Sequence, residues 1–216
     1  MIVVRGKDAQ EVGADELRRL VDAHAGVTVD LGTGDGRFAY RYAQAHPERL
    51  VIGVDPVRDN LREMSARAAR KPERGGLANV LYVAASVEQL PPELGAIADE
   101  IFVLLPWGSL MRGIILGEER VLRAIAGLGR TGARVRMVLN TRIFDDPVPI
   151  QAQDLPDLTP DYVHATLSPA FDRVGMRIER ADWMSPDEVA RLETTWAKRL
   201  SHRAPPRSFE VVAVVG

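Results

Sequence analysis

The chain has 216 residues, 46% of them hydrophobic, a length and apolar content that suit one domain with a sizeable core. No cysteine is present, which excludes disulfides and thiolate metal sites and points to a reducing compartment. A formal net charge of -2 excludes a surface coated uniformly for nucleic acid, although an average says nothing of local clusters.

The first residues, "VVRGKDAQEV", read as a small hairpin around Gly6-Lys7-Asp8. Apolar runs then mark strands at about Val27 to Leu31, Leu50 to Val54, Val80 to Ala84, Glu100 to Leu105, Ala133 to Leu139, Met176 to Arg180 and Phe209 to Val215. Several are continuously apolar, as expected when both faces of a sheet are covered. Helical stretches such as Asp59 to Ala69 and Glu118 to Leu128 fall between them. The alternation predicts an α/β fold: a mainly parallel seven-stranded sheet with helices on both faces and an N-terminal hairpin.

Thr141 to Asp161 is rich in Pro and Asp and reads as a connector, followed by a helix from about Thr159 to Phe171. Another helix is signalled at "SPDEVARLETTWAKRL", where Ser185 can cap, Pro186 fits the first position and Glu188 completes a capping box. The expectation is one domain over 1–216, with an N-terminal extension over 1–26, a basic segment over 58–76 and a helical insertion over 185–206 that carries Trp196. The longest apolar runs, "IFVLL" and "VVAVV", are too short to cross a bilayer, and the start lacks the basic-then-apolar order of a signal peptide. A cytoplasmic protein without membrane contact is expected.

"VDLGTGDGRF" places Asp30, Gly32, Gly34 and Gly36 where the first core strand hands over to a helix. Glycines there let backbone approach a ligand at the carboxyl edge of an open α/β sheet. A dinucleotide fingerprint would need glycine at position 37, which is Arg37. The spacing instead resembles the D-x-G-x-G-x-G loop of class I S-adenosylmethionine-dependent methyltransferases. Asp55, at the end of the next strand in "VIGVDP", suits the acid that accepts the ribose hydroxyls of a nucleotide cofactor. In "AASVEQLP" the same resemblance implies backbone contacts from Ala85 and a side-chain acceptor at Glu88, which by itself also reads as an ordinary surface acid.

In the large group of amino-methyltransferases the fourth strand ends in [D/N]-P-P-[Y/F/W]. The corresponding residues here are Leu104, Leu105, Pro106 and Trp107. The aromatic is present, but Leu104 has no side-chain acceptor for an amine, so the pattern suggests a target that is stacked and reacts at a ring nitrogen. Such a nitrogen already exposes a lone pair, so alignment replaces general-base catalysis. A base in structured RNA must first be flipped out, at a cost of roughly a few kcal/mol that stacking offsets in part. Trp196 can supply a second face, but Val189, Leu192, Trp196 and Leu200 also follow helical spacing and read equally as one buried stripe. Trp183 in "ADWMSP" reads as packing.

Taken together, "VDLGTGDGRFAY", "GVDP", "LLPWGSL" and "WAKRL", in this order, resemble the aminoglycoside-resistance methyltransferases that modify N1 of adenine 1408 in 16S rRNA. The resemblance covers nearly the whole chain. It implies that Trp107 and Trp196 sandwich the flipped adenine with Thr194 nearby, and that Asp30, Asp55, Ala85, Glu88, Leu104 and Ser109 contact the cofactor beside Gly32 and Gly34. The implied cofactor is S-adenosylmethionine, leaving S-adenosylhomocysteine, with no metal. The implied partner is 16S rRNA in the assembled 30S subunit, engaged by a monomer with no obligatory protein partner.

Two basic clusters suit that docking. Arg58 to Arg74 holds six basic residues against three acids, and Arg191 to Arg207 holds five against Glu193 alone. Arg67, Arg70 and Lys71 in the first, and Arg199, Arg203 and Arg207 in the second, are the candidate phosphate contacts; a solvated helix face is the alternative for each. Three rivals are a tRNA guanine-N7 methyltransferase, a small-molecule methyltransferase and a non-catalytic RNA-binding protein. The first would follow Pro-Trp with a dense basic run, whereas "GSLMRGIILGEER" is mostly apolar and acidic. The second has no need of two basic clusters, and the intact glycine loop with Asp55 speaks against the third.

Overall fold

The computed structural model describes residues 1–140, 155–192 and 208–216. Its strands are β1 (Ile2–Arg5), β2 (Asp8–Glu11), β3 (Gly26–Leu31), β4 (Arg49–Asp55), β5 (Val80–Ala84), β6 (Ala98–Leu104), β7 (Gly129–Leu139), β8 (Met176–Trp183) and β9 (Phe209–Val215). The helices are α1 (Ala14–Asp22), α2 (Arg37–Ala45), α3 (Arg58–Ala68), α4 (Gly108–Ile115), α5 (Glu119–Leu128), α6 (Pro160–Tyr162), α7 (Ser168–Asp172) and α8 (Pro186–Ala190). Among the described residues no helix is long and apolar enough to cross a membrane.

The strands form one sheet in the order β2-β1-β5-β4-β3-β6-β7-β9-β8. The five central strands pair in parallel, and antiparallel pairs close both flanks. All six residues of β3 are buried, including Thr28 and Asp30, which share one face of the strand. Successive strands run outward from β3 through β4 to β5, then the chain crosses to β6 on the other side. This reversal opens a crevice at the carboxyl ends of β3 and β6, where doubly wound sheets take ligands.

Both faces are covered, as expected. On one, α4 and α5 place Met111, Ile114, Leu122 and Ile125 against Val29 and Leu31 of β3. On the other, Tyr40, Leu61 and Met64 from α2 and α3 meet Val51 and Tyr82. Beside them Val189 and Leu192 cover Phe102, Leu104, Leu105 and Val138. The capping box that starts α8 is formed: the Ser185 N–H donates to Glu188 Oε2 at 2.7 Å and the Glu188 N–H to Ser185 Oγ at 3.3 Å.

The sheet has nine strands because the N-terminal hairpin joins it. Val3 and Val4 are buried, β1 reaches the β5 edge at Val3↔Val83, and the Met1 ammonium donates to the Val12 carbonyl at 2.8 Å. The strand expected to end at Arg180 continues to Trp183, because β9 offers partners as far as Phe209. The helix expected from Thr159 is broken into α6, a π-helical turn over Val163–Leu167, and α7. Pro169 lacks the N–H that an α-helix would direct at Ala165, and the Ser168 hydroxyl donates instead to the Val163 carbonyl at 3.2 Å. The last helix, expected to run on through Trp196, ends at Ala190 and is followed by a turn; most of the connector from Thr141, and Trp196 itself, lie outside the described residues.

Candidate active site

Two of the three glycines after β3 do different work. Gly34, with φ +59°, has open space where a side chain would stand, and its N–H donates to Asp55 Oδ2 at 3.0 Å. Gly36, with φ +73°, faces inward: a Cβ there would lie 2.5 Å from Tyr82 Cε1, while the Tyr82 hydroxyl donates to the Gly36 carbonyl at 3.0 Å. One glycine leaves room for a ligand and the other lets the loop seat on β5.

Asp30 is 2% exposed at the end of β3 and accepts the Thr33 hydroxyl. Burial, then the nearby Asp55 and Asp35 charges, push its carboxyl up to about 7 against the pull of Thr33. Asp55 accepts the N–H groups of Val57 at 2.9 Å and Gly34 at 3.0 Å, with the Asn60 amide at 3.4 Å. Burial raises its pKa and those donors partly oppose the rise. Beyond β5, the Ser109 hydroxyl bonds to Glu88 and holds that carboxyl below its usual range.

β6 ends at Leu104, one residue before the apolar run does, because Leu105 adopts a left-handed conformation with φ +52°. For a leucine this costs on the order of 1–2 kcal/mol. Burial to 2% and donation of its N–H to the Val138 carbonyl at 2.8 Å offset that cost. The turn redirects the chain so that Pro106 and Trp107 emerge at the carboxyl edge, where Trp107 keeps 38% of its surface exposed. Strain of this kind is found where a site must be held in one geometry.

Asp30, Gly32, Gly34, Asp55, Ala85, Glu88, Leu104 and Ser109 all line one open cleft of about 490 Å³, with Trp107 on its wall. Such a volume suits a single small-molecule ligand. Thr33, Phe38, Val57 and Asn60 also line it and escaped the sequence reading. Thr33 had a signal, lying inside the glycine loop, and so had Val57, exposed directly after Asp55-Pro56. Asn60 reaches Asp55 from the first turn of α3, and Phe38 comes from α2; neither stands in a motif. Among the described residues no cluster of His, Asp and Glu side chains is arranged to hold a metal ion.

Thr194, Trp196, Arg199, Arg203 and Arg207 lie outside the described residues. Arg67, Arg70 and Lys71 are exposed at the end of α3 and in the turn after it. Arg67 also stacks over Tyr40, its guanidinium carbon 4.7 Å from the ring centre. Trp183 packs edge-on against Phe209 at 5.0 Å, yet 38% of it stays exposed, so packing accounts for only part of that residue.

A parallel sheet with this reversal of strand order, a glycine loop leading into a cleft and an acid at the end of the second core strand define a class I methyltransferase architecture. The 16S rRNA (adenine(1408)-N(1))-methyltransferase family, NpmA, matches residues 2–215. An enzyme of that description from Streptoalloteichus tenebrarius is 38% identical, over 99% of this chain and 97% of its own. A crystal structure of a 16S rRNA (adenine(1408)-N(1))-methyltransferase variant from Catenulisporales acidiphilia, with cosubstrate S-adenosylmethionine, superposes with a TM-score of 0.93. It is 36% identical, and the match covers 100% of this chain and 96% of that one. The antibiotic-resistance methyltransferase Kmr has a TM-score of 0.87 at 38% identity, covering 100% and 98%. The chain belongs to the 16S rRNA (adenine(1408)-N(1))-methyltransferase family.

Proposed function

We propose that this protein methylates N1 of adenine 1408 in 16S rRNA within the assembled 30S subunit, with S-adenosylmethionine as donor, and so confers aminoglycoside resistance. It acts as a single-domain monomer in the cytoplasm. The observation that carries this reading is the exit of β6: a strained, buried turn presents Trp107 at the mouth of the cleft, and the preceding Leu104 offers no side-chain acceptor for an amine.

S-adenosylmethionine supplies an electrophilic methyl on a sulfonium. The cleft accommodates it: Gly34 leaves open space, Asp55 lies where ribose hydroxyls would be, and the buried Asp30, once ionised above about pH 7, presents negative charge to a cationic ligand. Ala85 and the Glu88–Ser109 pair bound the far side of the cleft. Trp107 stacks on the flipped base and holds its ring nitrogen in line with the methyl, and its face stabilises the base as positive charge develops. Trp196 provides the opposite face, with Thr194 positioning the segment. Leu139, Phe209 and Trp183 stand opposite one another on β7, β9 and β8. β9 thus begins at the edge that carries Trp107. Arg67, Arg70, Lys71, Arg199, Arg203 and Arg207 contact rRNA phosphates.

Labelled methyl from S-adenosylmethionine should appear on intact 30S subunits and not on tRNA or free aminoglycoside. Label on tRNA alone would replace this reading with the guanine-N7 alternative.

The raised carboxyl of Asp30 makes cofactor binding depend on pH. In the folded protein the group holds its proton up to about pH 7, so its contribution to stability falls as pH rises from about 4 through 7. Ionised Asp30 favours a sulfonium, so affinity for S-adenosylmethionine relative to S-adenosylhomocysteine should rise about tenfold between pH 6 and 8. Calorimetric titration of both ligands checks this, and Asp30→Asn should flatten the ratio. A ratio independent of pH in the unaltered protein would remove Asp30 from that role.

A further inference from the structure

The hairpin formed by β1 and β2 is joined to α3 at its turn. The Gly6 N–H donates to the buried Ser65 hydroxyl at 2.9 Å, and the Arg58 guanidinium donates to the Lys7 carbonyl at 3.0 Å. Gly6, with φ +63°, sits so close to the helix that a Cβ would lie 3.1 Å from Ala66 Cβ. Arg62 stands one helical turn before Ala66 on α3, and Arg70 follows in the turn after the helix ends at Ala68. Lys7, at the exposed tip of the hairpin, is therefore fixed beside the cations of α3 and does not trail in solvent.

The charge there is uneven. Asp59 is paired with Arg62 at 3.2 Å and Glu63 with Arg37 at 3.0 Å, so both acids of α3 are already engaged. Arg5 is exposed and stands opposite Asp8 in the hairpin ladder. Lys7, Arg58 and Arg70 thus extend the basic surface across from α3 onto the hairpin.

We propose that the N-terminal hairpin is part of the nucleic-acid interface, with Lys7, supported by Arg5, contacting the phosphate backbone of the rRNA onto which the α3 cations dock. This rests on the ribosome-docking reading above and adds to it an element outside the methyltransferase core. Cations placed by backbone hydrogen bonds give orientation without reading bases, and each phosphate contact steepens the salt dependence of binding.

The test is equilibrium binding of the full-length protein to intact 30S subunits across a salt series. Arg5→Gln/Lys7→Gln should weaken binding about five- to tenfold near 0.1 M salt and lower the slope of log affinity against log salt by about one to two. Melting temperature and S-adenosylmethionine affinity should stay at wild type, and Lys7→Arg should keep the wild-type slope. Wild-type binding and slope in the double variant, while Arg70→Gln/Lys71→Gln lowers both, would overturn the hairpin proposal alone. Wild-type behaviour in both variants would overturn the docking reading together with it.

Discussion

Trp107→Ala should lower methyl transfer to 30S subunits at least 100-fold while affinity for S-adenosylmethionine stays within about threefold of wild type. Stacking of an aromatic on a base is worth roughly 1–3 kcal/mol, and loss of alignment of the reacting nitrogen adds to it. The fold should tolerate the change, since Trp107 is 38% exposed and the turn is held from beneath by Leu105. Trp107→Phe should recover part of the rate because it keeps a stacking face. Single-turnover kinetics with calorimetric cofactor binding separates the two quantities. If Trp107→Ala weakens cofactor binding as much as it slows transfer, Trp107 is a wall of the cofactor cleft and not the platform for the base.

The second large effect falls on stability. Gly36→Ala should cost about 2–5 kcal/mol, the sum of placing a side chain at a left-handed position and forcing a methyl against a ring in a packed core. The ring has nowhere to go: Tyr82 is 1% exposed, and its hydroxyl is bonded to the Gly36 carbonyl. For a chain of this size the melting temperature should drop by roughly 5–20 °C. Gly34→Ala shares the backbone strain, with φ +59°, but meets nothing within 4 Å, so it should unfold the protein less and weaken cofactor binding more. Thermal melts of both variants, with and without S-adenosylmethionine, check the contrast. Equal losses of stability would mean that the contact with Tyr82 is not what fixes the loop.

These two residues also mark how far the sequence could be read. The cleft was legible because its parts lie at strand ends in chain order: the glycine loop after β3, Asp55 closing β4, Glu88 after β5 and Trp107 after β6 all depend on local spacing. The parallel sheet was legible from continuous apolar runs, since strands buried on both faces admit few polar residues. What escaped depends on contacts distant in sequence. Gly36 is one glycine among three until Tyr82, 46 residues away, is folded against it. Leu105 continues an apolar run, and only its buried N–H bond to Val138 selects a conformation that leucine otherwise avoids.

The hairpin was visible from Gly6-Lys7-Asp8, but its fusion to β5 and its attachment to Ser65 were not, because neither partner carries a local signal. The stripe of Val189, Leu192, Trp196 and Leu200 resolves in its first half. Val189 of α8 and Leu192 just after it are buried with Phe102, Leu104 and Leu105 at the end of β6 and Val138 of β7, whereas Trp196 and Leu200 lie outside the described residues.

The central claim is that Trp107 presents a ring nitrogen, and not an amine, to the methyl donor. Reverse transcription of 16S rRNA from 30S subunits treated with the protein and S-adenosylmethionine, with mass spectrometry of the modified nucleoside, tests it most directly. The account predicts a stop at adenine 1408 and a nucleoside methylated on N1, which blocks base pairing. A methyl on the exocyclic amine, or a modified nucleotide elsewhere in the subunit, would contradict it.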